Sequence, residues 1–152
     1  VTECILAALA KPAPHPDVAR GAVGVLNALA HHHPESIGTA QCAALWTALL
    51  RQMVVRSDLK RVVDLGPFKQ KIDDGLPVRK AAFTCAATLL DHISPRVTRA
   101  AGGPPGAGFL SQIVNAVCAG LKESEYDARI LTQQVRLLMH CTQCMSVFPF
   151  IC

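Results

Sequence analysis

The sequence predicts an all-α chain in which similar helices recur, and three observations predict it. The composition comes first: of 152 residues, 51% are apolar but only 5% aromatic and 17% charged, and Ala, Leu and Val make up most of the apolar share. Small and aliphatic side chains of this kind suit closely packed helices better than sheets, which favour aromatic and β-branched residues. That much apolar material also excludes intrinsic disorder. The second observation is that apolar residues recur at helical spacing. The third is that Pro and Gly cut the chain into helix-length segments.

The elements follow in order. The opening run with Cys4, Ile5, Leu6 and Leu9 reads as helix and is broken by Lys11-Pro-Ala-Pro-His-Pro16. Asp17 then stands at a helix start, and Val18 to His33 follow as a helix stopped by Pro34. A second helix is expected from about Glu35 to Arg56, with Ile37, Ala40, Ala44, Leu45, Ala48 and Leu49 on one side. A third runs from about Pro77, a residue suited to the first helical turn, to Ile93 ahead of Pro95. Beyond a Gly/Pro loop, helices are expected over Phe109 to Lys122 and from Glu125 to about Cys144. The apolar start at Val1 and the apolar tail Ser146-Val-Phe-Pro-Phe-Ile-Cys152 both read as cut ends of a longer protein.

Three of these helices follow one template. Val18, Ala22, Val25, Leu26 and Leu29 match Val78, Ala82, Cys85, Ala86 and Leu89 at offsets 0, 4, 7, 8 and 11, a single buried face. Ala128, Thr132, Val135 and Met139 match more loosely, with Arg136 off the template. Each helix starts with a turn residue or Pro, then a small apolar residue, then a base: Asp17-Val18-Ala19-Arg20, Pro77-Val78-Arg79-Lys80, Asp127-Ala128-Arg129. This resembles the second helix of a HEAT repeat. The fold class expected is therefore all-α, a HEAT-repeat α-solenoid of antiparallel helix pairs with a short inserted β-hairpin. The anchors lie 60 residues apart (Val18 to Val78) and then 50 (Val78 to Ala128). Such units run about 40–47 residues, so each interval carries an insertion. The expected organisation is a partial repeat over 1–34, a repeat over 35–95 interrupted by a hairpin insertion at 57–75, a flexible loop at 99–108, and a partial repeat over 107–145.

The insertion at 57–75 differs from everything around it. It lacks Ala, and Leu59, Arg61, Val63 and Leu65 fall on one side if the chain is extended. Gly66-Pro67 is a strong turn signal, and Phe68 to Ile72 returns as a second strand. A two-stranded hairpin is marginal in water. One projecting from helices is therefore expected to be buried by a partner, against the plainer reading of a disordered loop.

Other functions find little footing. The net charge of +4 is scattered rather than gathered into a patch, which argues against nucleic acid. The uncharged run from Ala100 to Leu121 contains Gly102-Gly103-Pro104-Pro105-Gly106 and is no membrane span. No signal peptide is visible. Seven cysteines, mostly in apolar helical pattern, read as small hydrophobes in a reducing compartment. His31-His32-His33 point in different directions on a helix and cannot chelate one ion together, so no metal site is expected. Cys141 and Cys144 form a CxxC, but without the strand that redox motifs follow or a second pair to complete a zinc site, so plain thiols are expected over a thiol enzyme. No catalytic grouping or cofactor motif emerges. Arg79, Lys80 and Arg129 read either as partner contacts or as pairing along the helical array.

The segment Val63-Asp-Leu-Gly-Pro-Phe-Lys-Gln-Lys-Ile-Asp-Asp-Gly-Leu-Pro-Val-Arg-Lys-Ala-Ala-Phe83, continuing to Asp91, is more specific. It closely resembles the carboxy-terminal region of the cullin-associated, neddylation-dissociated proteins, where Gly-Pro-Phe-Lys, Asp-Asp-Gly-Leu and Arg-Lys-Ala-Ala-Phe are characteristic. The sequence departs from that family at the longer Gly/Pro loop and after Cys144. The resemblance implies a segment of a HEAT solenoid that wraps an unmodified cullin, with a hairpin occupying the surface used by substrate-receptor adaptors. It implies a non-catalytic regulator of cullin–RING ubiquitin ligase assembly and receptor exchange, located in cytoplasm and nucleus and needing no cofactor. Carried onto this chain, the partner-binding residues would be Arg61, Val63, Leu65, Gly66, Pro67, Phe68 and Lys69.

Overall fold

Local chemistry sets the ends of most elements. A computed structural model describes residues 1–11, 14–64, 66–92, 107–123 and 125–141. In chain order the elements are α1 (Thr2–Leu9), α2 (Pro16–His32), α3 (Thr39–Gln52), β1 (Lys60–Asp64), β2 (Lys69–Asp73), α4 (Leu76–His92), α5 (Ala107–Leu121) and α6 (Tyr126–Cys141). Pro16 opens α2, where its missing N–H costs nothing, and His15 Nδ1 accepts the Asp17 N–H at 3.3 Å. Among the described residues no helix is long and apolar enough to cross a membrane.

The helix expected over Glu35 to Arg56 is shorter than its pattern. Pro34–Ser36 form a single 3-10 turn, Ile37 and Gly38 are extended, and α3 begins only at Thr39. At the far end Met53 caps the helix and Arg56 is extended. There Arg56 Nη1 donates to the Pro14 carbonyl at 3.0 Å and Nη2 to Asp58 at 2.6 Å, which holds the chain off the helical path. Ala44, expected inside, is exposed. Ile37, Leu45, Ala48 and Leu49 are buried as expected.

The helices contact one another in two rows. α2 packs on α4 and α4 on α6; α1 lies on α2, α3 on α4 and α5 on α6; α1 also meets α3, and α3 meets α5. Polar links join neighbours in a row. Thr2 Oγ1 donates to Gln41 Oε1 at 2.9 Å between α1 and α3. Thr88 Oγ1 donates to Asn27 Oδ1 at 2.7 Å between α4 and α2. Lys80 Nζ meets Asp127 Oδ2 at 2.7 Å between α4 and α6.

The core sits between the rows. Every template position of α4 (Val78, Ala82, Cys85, Ala86, Leu89) and of α6 (Ala128, Thr132, Val135, Met139) is buried. In α2 the buried set is instead Ala19, Val23, Leu26 and Ala30, while Val18 and Val25 are 53% and 51% exposed. The α2 face is thus rotated by one residue from the expected one. Anchored on Ala19, all three helices share offsets 0, 4, 7 and 11, and each anchor is followed directly by an arginine: Arg20, Arg79 and Arg129. Val18 mimics the anchor in a hydrophobicity reading, but the face that packs is the one carrying Ala19, Val23, Leu26 and Ala30.

Candidate functional site

Between α3 and α4 the chain leaves the helical rows as an antiparallel hairpin. Its register pairs Lys60 with Asp73, Arg61 with Ile72, Val62 with Lys71, Val63 with Gln70 and Asp64 with Lys69. Gly66 takes φ +85° in the turn, the left-handed region that glycine enters without cost. Its N–H donates to Asp64 Oδ1 at 2.9 Å, closing the bend.

The expected site residues are therefore on one element but not on one face. Residues directly opposed across the strands share a face. Arg61 and Val63 lie with Gln70 and Ile72, whereas Lys69 lies on the other side with Lys60, Val62, Asp64 and Lys71. Gly66 and Pro67 are exposed in the turn, and Phe68 is 73% exposed beside it. Leu65 lies outside the described residues, and Leu59 belongs to a 3-10 turn before the strand. Arg61 is held back toward the base, its Nε donating to Asp74 Oδ2 at 2.8 Å.

The base of the hairpin is organised around Arg79, in the first turn of α4. Its side chain is 2% exposed. Nη2 donates to Asp73 Oδ2 at 2.9 Å, at the end of β2, and to Glu123 Oε2 at 3.2 Å, just past α5. Nε lies 3.1 Å from Glu123 Oε1, a charge contact whose angle makes no hydrogen bond, and Nη1 has no hydrogen-bond partner among the described residues. Asp73 Oδ1 accepts the Gly75 N–H at 3.0 Å, so both carboxylate oxygens are engaged. Gly75 is closely surrounded here: a Cβ would come within 3.1 Å of Leu59 Cδ1 and 3.2 Å of Asp73 Oδ1, so those side chains would have to give by a few tenths of an ångström. Burial disfavours the Asp73 carboxylate, but the Arg79 guanidinium, with the Gly75 N–H and the Lys60 charge, offsets it and holds the carboxyl below the usual range. Burial likewise works against the Arg79 charge, and Asp73 and Glu123 overcome it, so its pKa is raised.

Of the basic residues weighed as partner contacts, Arg79 and Lys80 are engaged in pairs within the chain, and Arg129 lies over the Tyr126 ring at 5.9 Å. The role of Asp73 and Glu123 is not visible in the sequence. Arg79 and Glu123 are 44 positions apart, and no local pattern links them. Among the described residues no group of three or more His, Cys, Asp or Glu could hold a metal ion. His31 instead packs edge to face on His32 and on His92, at 4.7 and 5.2 Å between ring centroids. Cys4, Cys42, Cys85 and Cys118 are free thiols. Cys144 of the CxxC lies outside the described residues.

Among the described residues, helix pairs laid side by side and interrupted by a clamped hairpin define a helical chain whose projecting element carries mostly exposed side chains. Residues 39–147 match the family described as TATA-binding protein interacting (TIP20), also called TIP120, and the chain belongs to that family. It is 38% identical over 122 residues to cullin-associated NEDD8-dissociated protein 1 of Arabidopsis thaliana, covering 80% of this chain and 9% of that protein. Against the Dictyostelium discoideum protein of the same name it is 35% identical over 114 residues, 75% of this chain and 8% of the relative. Against cullin-associated NEDD8-dissociated protein 2 of Mus musculus it is 34% identical over 119 residues, 78% and 9%. The chain thus spans less than a tenth of the length of these relatives.

Proposed function

We propose that this chain is a HEAT-solenoid segment that binds an unmodified cullin without catalysing a reaction, its hairpin competing for the surface that substrate-receptor adaptors use. In this role it regulates the assembly of cullin–RING ligases and the exchange of their receptors, in cytoplasm and nucleus. The observation that carries the reading is Phe68, an aromatic side chain left 73% exposed beside the turn of a hairpin anchored at its base. A large apolar group on a projecting, otherwise solvated element is the kind of anchor that interfaces bury. The names of the relatives, which describe them as cullin-associated, point the same way. The helix rows and the arginine after each anchor favour stacked repeats, each helix pair burying a face that it cannot bury alone.

The test is a titration of this chain against the amino-terminal region of an unmodified cullin, with and without adaptor. Wild type is expected to bind and to be displaced by adaptor. Phe68→Ser should weaken binding at least tenfold with helix content and thermal midpoint unchanged, since the side chain makes little of the fold. A folded wild type that fails to bind sinks the proposal. Binding that survives loss of residues 60–73 would instead identify a general helical scaffold.

A further inference from the structure

We propose that Arg79 is the positioning residue of the hairpin, fastening β2 to the helices so that the exposed tip is held in one orientation. This deepens the reading above and rests on it only for its binding readout.

Three observations carry it. The strands make their ladder with each other, and a two-stranded unit has little stability or fixed orientation of its own. Among the described residues the base carries two ionic ties, of which Arg61 to Asp74 joins side chains that are 60% and 43% exposed, and such pairs constrain little. Arg79 to Asp73 and Glu123 joins side chains that are 2%, 18% and 7% exposed, and it spans β2, α4 and the segment after α5. Third, the arginines at the same template position in the other two helices are not buried: the Arg20 side chain is 59% exposed and Arg129 is exposed. Arginine burial is therefore a property of the one helix that follows the hairpin, not of the repeated template. With Nε and Nη1 lacking hydrogen bonds among the described residues, the site gives up part of the guanidinium's hydrogen bonding to hold two carboxylates from separate elements. Nη2 donates to both carboxylates while Nε adds a charge contact with Glu123 Oε1; a lysine ammonium, with no second nitrogen, would keep only part of this.

The experiment compares Arg79→Met, Arg79→Lys, Asp73→Asn and Phe68→Ser in this chain by amide order parameters and by cullin titration. In wild type the amides of 60–64 and 69–73 are expected near the rigid value of about 0.85. In Arg79→Met and Asp73→Asn they should fall below about 0.6 while α2 and α4 stay rigid, with Arg79→Lys between. Asp73→Asn leaves Arg79 paired with Glu123 and so keeps the helices intact if Arg79→Met does not. Binding should weaken about tenfold in both, because an unfixed tip pays ordering entropy on association. Phe68→Ser should lose binding with hairpin order unchanged. Rigid hairpins in Arg79→Met and Asp73→Asn overturn the proposal, and so does loss of order spread equally over hairpin and helices. If no form binds cullin yet hairpin order still depends on Arg79, the positioning role stands and the cullin reading falls.

Discussion

Gly120 sits where α5 comes close to α4 and α6. A Cβ on it would lie 2.6 Å from Phe83 Cζ and 2.6 Å from Thr132 Oγ1. Phe83 and Thr132 are both 0% exposed, so neither can swing aside, and Thr132 is further held by donating to the Ala128 carbonyl at 2.7 Å. Alanine gains about 1 kcal/mol of helix propensity over glycine, but overpacking costs about 1–3 kcal/mol. Gly120→Ala should therefore lower the thermal midpoint; an unchanged or raised midpoint would show that α5 can move away. The thiols differ in the same residue-level way. Burial pushes the Cys85 thiol up to about 12, and burial raises Cys42 too, partly opposed by a hydrogen bond with Trp46. Since the thiolate is the reactive form, Cys4, which is exposed, should alkylate in the native chain while Cys42 and Cys85 react only after denaturation. Mass mapping of iodoacetamide adducts with and without denaturant checks this.

At the scale of elements, the hairpin shows how a weak unit is stabilised from outside. Turn chemistry forms it: Gly66 bends, Asp64 closes, and the strands pair. Its attachment is electrostatic, and this has a pH signature. Asp73 titrates below its ordinary value of 3.8, so its charged tie contributes stability above that pH and loses it as the pH falls through the lowered value. A carbon-detected titration of the Asp73 carboxyl should give a midpoint under 3.8, and Arg79→Met should raise it, since burial is then opposed only by the Gly75 N–H and Lys60. An unshifted wild-type midpoint would mean that the ion pair is open in solution. The same scale explains α3. Its helical pattern extends past both ends, yet extended backbone at Ile37–Gly38 and the Arg56 ties at the other end shorten it.

At the scale of the molecule, α2 and α6 leave apolar surface outside the core. Tyr126, Ile130 and Leu137 of α6 are 67%, 42% and 63% exposed, and Val18 and Val25 of α2 are more than half exposed. Tyr126, Ile130 and Leu137 fall on the side of α6 opposite its buried set, as positions 4 and 11 residues apart do. In repeat architectures such faces are covered by neighbouring repeats or by polar caps. The isolated chain should accordingly self-associate, seen as an apparent mass that rises across a concentration series in light scattering. A monodisperse monomer over the whole series would contradict this.

The helices, the starts of several of them and the hairpin were legible in the residue order, because the determinants act within a few positions. Pro16 and Pro77 in first turns, Pro34 as a stop, Gly66-Pro67 as a bend and a 3.6-residue apolar period are all local chemistry. The family resemblance was legible for the same reason, since residues 63–91 are one contiguous run. Packing settled the rest. Whether α2 buries Val18 or Ala19 depends on the space that α4 and α1 leave, and one residue of rotation cannot be read from a run as uniformly apolar as Val18-Ala19 and Ala22-Val23. The seven expected partner-binding residues lie together in sequence, but strand register divides Arg61 and Val63 from Lys69. Arg79 looked like either a partner contact or a ladder residue; its burial between Asp73 and Glu123 needed α5 and the hairpin to be brought to one place by the fold. A single chain carries the period of its own helices, but not which charges meet once those helices are laid side by side.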